Sequence, residues 1–535
     1  MHSIHGKGRV LAAILASNLA LGCQPALQTQ PPTSAASAPA QSSSSIETKE
    51  TFYARGRAEV DANARIQPNK RQAKNVILFL GDGMGVTTIT AARILDGQMK
   101  GMKFGEENDL SFEKFPHLAH SKTYQANQQT PDSAPTMTAI VTGSKTNDGM
   151  LSVAPAVLGP DPVAASKPEN RLPTILEQAE EHGLWTGVVS TARITHATPA
   201  ACYSHTPARD WEGDAELSPQ ATSMDYPDIA RQLLDFRVRE TKMNGKASRG
   251  LEVAMGGGRS KFLTTADADP EDQGKTGDRK SRNLVKEWSD RGGAFIYDQK
   301  GFDAIDPATT GPVLGLFERS HMEYEIDRAK DSAGEPSLTQ LTDKAIRILQ
   351  RSPKGFFLMV EGGRIDHAHH AGNAKRALTD AAELSRAVQR ATELVGDDTL
   401  IIVTADHSHV FTMAGYPTRG NPILGLMITN DDDTSLPAKE PYKAQDGKPF
   451  TTLGYMNGPG AAESGERADL TNVDTTADDF QQQALVPLGS ETHGGEDVAI
   501  YARGPHAYLF QGTMEQNAIY FVMARALGFE KGKRR

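Results

Sequence analysis

Asn75-Val76-Ile77-Leu78-Phe79-Leu80-Gly81-Asp82-Gly83 sets an unbroken apolar run against an aspartate flanked by glycines. A strand with one wet face would alternate apolar and polar residues, whereas a continuous run reads as a strand buried on both faces. The same layout recurs at Leu184 to Val189 before Ser190, Phe356 to Val360 before Glu361, and Leu400 to Val403 before Thr404-Ala405-Asp406. Between these runs lie helical patterns, such as Leu172 to His182 and Leu338 to Gln350, with Leu and Ile three and four residues apart. This alternation predicts an α/β fold built on a doubly wound, mostly parallel sheet sandwiched by helices. Ligands of such sheets gather outside the carboxyl ends of the strands, where Asp82, Glu361 and Asp406 all fall. Carboxylates brought together there require a cation.

Two stretches depart from this pattern. Residues 414–483 are rich in Gly, Pro, Asp and Thr without long helical patterns and read as an insertion. Residues 257–325 begin with an irregular, acidic, glycine-rich segment and read as a second excursion from the sheet.

The first residues carry Lys7 and Arg9, then an apolar run from Val10 to Leu21, the layout of a secretory signal peptide over residues 1–22. Gly22-Cys23 resembles the lipobox of bacterial lipoproteins, which predicts a lipid on Cys23. Ala20 and Leu21 stand in the reverse of the usual lipobox order, so an ordinary cleaved signal is the competing reading. Residues 23–46 are rich in Ser, Ala, Pro and Gln with almost no charge and read as a disordered tether. No later stretch has the roughly eighteen continuous apolar residues of a membrane span. The chain is thus read as exported, periplasmic or displayed at the cell surface, touching the membrane only through the lipid. After Cys23 only Cys202 remains, so no intramolecular disulfide is available to it. Asp and Glu number 67 against 57 Lys and Arg, and the one dense basic run is the short tail Lys531 to Arg535. A basic nucleic-acid-binding surface is disfavoured.

The chemistry concentrates in a few motifs. In Thr130-Pro131-Asp132-Ser133-Ala134-Pro135-Thr136, a serine precedes a short helical run stopped by Gly143. Its hydroxyl would lie at a helix N-terminus, which favours phosphate and an ionised alkoxide. Asp-Ser before a helix is also an ordinary N-cap, so this motif is weak alone. Glu361-Gly362-Gly363-Arg364-Ile365-Asp366-His367-Ala368-His369-His370 is more specific. Asp366 and His370, four apart, would share a helix face and could grip one zinc ion. Asp406-His407 and Glu491-Thr492-His493-Gly494 add further imidazoles and carboxylates.

Taken in order, Gly81-Asp82-Gly83-Met84-Gly85, Pro131-Asp132-Ser133, Glu361 to His370, Thr404-Ala405-Asp406-His407 and Thr492-His493-Gly494 resemble the alkaline phosphatase family, over roughly residues 72 to 529. Thr195-His196-Ala197-Thr198-Pro199, Gly315-Leu316-Phe317-Glu318 and His493-Gly494-Gly495-Glu496-Asp497 resemble the animal branch more than the enteric bacterial one. The resemblance implies a first zinc on Asp366, His370 and His493, a second on Asp82, Asp406 and His407 with Ser133 facing it, and magnesium on Asp82, Thr198 and Glu361. It implies that His196 lies beside the magnesium shell, that Arg209 holds two phosphate oxygens through its guanidinium fork, and that His367 stands near the phosphate where enteric enzymes have lysine. A phosphoserine intermediate on Ser133 and an alkaline optimum follow from the same resemblance. So do one phosphatase domain over residues 47–530, a homodimer with residues 414–483 as a crown-like insertion near the subunit contact, and phosphate monoesters as substrates.

Animal members also carry calcium. The matching positions here are Glu271, Phe317, Glu318 and Glu335, the last a glutamate for aspartate after a two-residue insertion; oxygen ligands of this kind suit calcium. An acidic solvated loop is the competing reading. For the reaction, the competing readings are a phosphodiesterase of the same superfamily and a lipoprotein that binds phosphate or metal without turnover. Diesterases commonly use Thr as nucleophile and lack the arginine and third metal. A sulfatase would need an arginine after Ser133-Ala134-Pro135-Thr136-Met137, which is missing.

Overall fold

The computed structural model describes residues 48–244, 250–463 and 465–529. The signal, the tether and Cys23 lie outside the described residues, as does the tail from Glu530. Residues 1–65 form a unit of their own, whose described part is the helix Lys49–Asn63, opened by a reciprocal capping box between Thr48 and Thr51.

The unit from Ile66 onward is built on strands β1 (Asn75–Gly81), β2 (His117–Lys122), β3 (Trp185–Arg193), β4 (Val253–Gly257), β5 (Ala294–Ile296), β6 (Val313–Leu316), β7 (Phe356–Gly362) and β8 (Thr399–Ala405). The short strands β9 (Ser408–His409), β10 (Phe411–Met413), β11 (Leu453–Gly458), β12 (Ala484–Pro487) and β13 (His493–Gly494) follow, then β14 (Val498–Arg503) and β15 (Thr513–Glu515). Ten of them form the main sheet, in the order β15-β2-β14-β8-β1-β7-β3-β4-β6-β5. From β8 to β5 every neighbour is parallel, while β14 runs antiparallel to both β8 and β2.

β1 shows why the apolar runs were legible. Every residue from Val76 to Leu80 is fully buried. Val76, Leu78 and Leu80 join one core and Ile77 and Phe79 the other, as side chains alternate across a sheet covered on both faces. The helices Val86–Met99, Leu338–Leu349 and Ala374–Leu394 supply buried residues to the second core, and Ser133–Thr142, Ala197–Tyr203 and Ala518–Leu527 to the first.

Residues 257–325 do not form a separate excursion. β5 and β6 return from within that range to complete one edge of the main sheet, and only the loops around them stand outside it. Residues 414–483 contribute β11, which pairs with β10 and β12 in a small three-stranded sheet. No described helix is long and apolar enough to cross a membrane.

Candidate metal and phosphate centre

β7, β1 and β8 are adjacent and parallel, with Leu80 opposite Glu361 and Gly81 opposite Ala405. Three strand ends in register, each neighbour under 5 Å away, bring Asp82, Glu361 and Asp406 together, all fully buried. Burial raises Asp82 well above the usual carboxylate range, and Asp406, Asp366 and Glu361 push it further. Burial likewise raises Glu361 to about 7 and Asp406 to about 6. Asp82 Oδ2, Asp406 Oδ2, Glu361 Oε1 and Thr198 Oγ1 are all buried without a hydrogen-bond partner. Oxygens left this way cost free energy that a bound cation recovers.

Gly83 makes the convergence possible. Its φ of +66° is a conformation glycine adopts without penalty, and a Cβ there would lie 2.3 Å from the His409 ring. Its N–H donates to Asp406 Oδ1 at 3.1 Å.

On the next helix, Arg364–His370, Asp366 Oδ1 lies 3.4 Å from His370 Nε2 and 3.3 Å from His493 Nε2, and the two imidazole nitrogens are 3.1 Å apart. A tetrahedron with zinc–nitrogen bonds of about 2.0–2.1 Å has edges near 3.4 Å, so these three atoms are spaced as zinc ligands are. A second set repeats the spacing: His407 Nε2 is 3.5 Å from Asp82 Oδ1, 3.4 Å from Asp406 Oδ2 and 3.0 Å from Ser133 Oγ, and Ser133 Oγ is 3.4 Å from Asp82 Oδ1. The Nδ1 atoms of His370, His407 and His493 face the backbone carbonyls of Glu491, Ser408 and Pro131 at 2.6, 3.2 and 2.8 Å. A carbonyl only accepts, so each Nδ1 carries the proton and each Nε2 lone pair points inward.

Ser133 is the first residue of the helix Ser133–Thr142, with Asp132 as N-cap and Gly143 in the left-handed conformation at its end. Arg209 Nη1 donates to Asp132 Oδ1, and Arg209 Nη2 lies 2.9 Å from His196 Nε2. Thr198 is fully buried on the helix Ala197–Tyr203, and an imidazole nitrogen of His196 groups with carboxylate oxygens of Asp82 and Glu361. All the residues expected around Ser133 are therefore brought together.

Three residues at this centre were missed by the sequence reading. His409 Nε2 meets Asp366 Oδ1 at 2.8 Å and its Nδ1 meets Glu491 Oε2 at 2.5 Å, and these two carboxylates outweigh burial and raise His409 to about 9. With both nitrogens occupied, His409 orients Asp366 and has no lone pair free for a metal. Asp132 is the third, pairing with Arg209. The available signals were the second histidine of His407-Ser408-His409 and the acid before His493.

The predicted calcium set is brought together only in part. Carboxylate oxygens of Glu271, Glu318 and Asp331 lie within 4.8 Å of one another. Burial raises Glu271 to about 7 against the pull of Arg259, with repulsion from Asp331 adding to it, and raises Glu318 to about 8, with repulsion from Glu271 and Asp331 adding to it. Asp331, which the sequence reading did not single out, joins this group. Glu335 Oε1 accepts the Glu323 N–H at 3.0 Å and its buried Oε2 has no hydrogen-bond partner, while burial and the nearby Glu318 and Asp331 raise it to about 9. Phe317 is buried, its N–H bonded to the Gly256 carbonyl.

The alkaline phosphatase family model matches residues 73–529. The alkaline phosphatase of Gadus morhua is 44% identical over 468 residues, covering 86% of this chain and 92% of that protein. The tissue-nonspecific isozyme of Gallus gallus is 45% identical over 469 residues, covering 86% and 85%. The crystal structure of Thermus thermophilus alkaline phosphatase, at 23% identity, matches 89% of this chain and 95% of that one with a TM-score of 0.59, a likeness of fold. The chain belongs to the alkaline phosphatase family and is a phosphomonoester hydrolase.

Proposed function

We propose that this phosphatase works through a phosphoserine formed on Ser133. The observation that carries the reading is the place of Ser133 Oγ at a helix start, 3.0 Å from His407 Nε2 and 3.4 Å from Asp82 Oδ1. Asp366, His370 and His493 would hold one zinc, and Asp82, Asp406 and His407 the other. Magnesium would take Asp82, Thr198 and Glu361, with His196 beside them, and calcium would take Glu271, Glu318 and Asp331. At the catalytic set, bound cations supply positive charge that acidifies a hydroxyl or water and offsets charge on the phosphate and the departing oxygen. Ser133 then attacks phosphorus, and the first N–H groups of its helix face the phosphoryl oxygens. Arg209 presents its fork to two of those oxygens, for which the paired Asp132 carboxylate competes. Water hydrolyses the phosphoserine and returns Ser133 to its starting state.

The reading extends to a phosphatase domain over residues 47–530, exported behind the signal and tethered through Cys23. In residues 414–483, Tyr416, Leu436, Tyr442 and Met456 are exposed, which supports this region as the contact of a homodimer. Hydrolysis of p-nitrophenyl phosphate that is abolished by Ser133→Ala and by chelator is the expected result. Equal rates for wild type and variant would sink the mechanism, and turnover of bis-p-nitrophenyl phosphate alone would favour a diesterase.

A further inference from the structure

The helix Arg364–His370 carries two of the ligands proposed for the first zinc, and its last turn is held by residues of the segment 414–483. His369 stands between those ligands in the chain and is fully buried. Its Nδ1 lies 2.8 Å from the Tyr455 hydroxyl on β11, and its Nε2 lies 3.0 Å from the Thr88 hydroxyl. A hydroxyl can donate or accept, so one ring nitrogen gives its proton, the other takes one, and the imidazole is satisfied in either tautomer. The ring is also wedged in place. Its centroid lies 4.7 Å from that of His409, 4.9 Å from that of Phe411 and 5.8 Å from that of Tyr455. His409 in turn meets Asp366 at 2.8 Å. Tyr455 therefore reaches Asp366 along two routes, one through the backbone of the helix and one through His409.

The same segment grips the chain again just past His370. The N–H of Gln482 donates to the Gly372 carbonyl at 2.9 Å, and its side-chain Oε1 accepts the Ala374 N–H at 2.6 Å. Ala374 opens the next helix, Ala374–Leu394, so its N–H has no acceptor within that helix. Gln482, only 1% exposed, supplies one. The Asn373 side chain adds a bond to the Asp478 carbonyl at 2.8 Å, and Lys375 pairs with the Asp478 carboxylate at 2.6 Å. His370 is thus flanked, with Tyr455 fixing the residue before it and Gln482 the turn after it. Tyr455 and Gln482 are both buried, so neither belongs to the exposed face read above as a subunit contact.

We propose that Tyr455 and Gln482 are positioning residues for the first zinc, through which the segment 414–483 sets the affinity of the site made by Asp366, His370 and His493. Ligand atoms must be held within about 0.5 Å of the binding geometry by neighbours that are themselves locked. Loss of such outer partners typically weakens a metal site about 10- to 100-fold. The inference rests on the assignment of that zinc to these three ligands.

The test is zinc titration of the metal-free full chain in a metal buffer, resolving the two zinc dissociation constants. In Tyr455→Phe, which keeps the ring and removes one hydroxyl, one constant should rise about fivefold while the other holds. Gln482→Ala, which strips the acceptor from a buried N–H, should raise the same constant about tenfold or more. In a His370→Ala background, which lacks a ligand of the first site, the remaining constant should not respond to Tyr455→Phe. Melting of the metal-free protein separates this role from support of the fold alone. Zinc constants that stay at wild-type values while the metal-free Tm falls would overturn the inference, as would an equal rise in both constants. A wild type that takes up no more than one zinc would instead overturn the assignment of the zinc itself.

Discussion

Ser133 Oγ lies 3.0 Å from Nε2 of His407, a fully buried imidazole whose other nitrogen faces the Ser408 carbonyl. Neither side chain is free to wander, because one opens a helix and the other sits in the short link between β8 and β9. Ser133→Ala removes one oxygen and leaves the carboxylates and imidazoles in place. It should lower kcat by roughly 10⁴-fold or more, as loss of a nucleophile does in other hydrolases, while zinc content measured by elemental analysis stays at the wild-type level.

His409 tests orientation as distinct from ligation. It bridges Asp366 and Glu491, so His409→Ala should leave all the proposed ligands present but Asp366 unsupported. Zinc affinity, read by titration in a metal buffer, should weaken by about 10- to 100-fold, and added zinc should restore activity. Unchanged affinity would mean that the ligands hold themselves.

Arg209 and Asp132 should act in opposite senses on phosphate. Arg209→Ala loses the fork and should raise the inhibition constant for inorganic phosphate about tenfold or more. Asp132→Ala removes a competitor for the same guanidinium, so product should be held no more weakly than in wild type.

Glu177 ties pH to stability far from the centre. It is buried among His205 at 2.8 Å, Arg239 at 3.1 Å and Arg171. Burial alone would raise its pKa, but His205, Arg239 and Arg171 prevail and hold it well below the usual glutamate range. A folded-state value below the unfolded one, near 4.3, stabilises fully above that pH and progressively less below it. Glu177→Gln should therefore cost about 3 kcal/mol in urea unfolding near neutrality. The gap to wild type should begin to narrow as pH falls below about 5 and keep narrowing at more acidic pH.

Calcium should act on stability. Ions bound by Glu271, Glu318 and Asp331 would relieve their mutual repulsion, stabilising the fold by about 2.7 kcal/mol at a hundred times the dissociation constant. Melting followed with and without calcium should show a rise in Tm that Asp331→Asn reduces.

The sheet was legible where strands are buried on both faces, because an apolar run such as Val76 to Leu80 has no other economical reading. β5 escaped, since Ala294-Phe295-Ile296 is too short to stand out from the loops on either side. The ligand set was legible because strand ends and one helix turn carry its motifs within a few residues. Asp132 and Arg209, 77 residues apart, pair only through the fold. His409 looked like one more histidine until β9 paired it opposite His493.

The most direct test of the central claim is acid quenching of the metal-loaded enzyme during turnover of p-nitrophenyl phosphate, followed by peptide mass analysis. The account predicts one phosphoryl group on the peptide bearing Ser133, absent from Ser133→Ala. Wild-type enzyme that turns over without phosphoserine, while Ser133→Ala retains its rate, would contradict it.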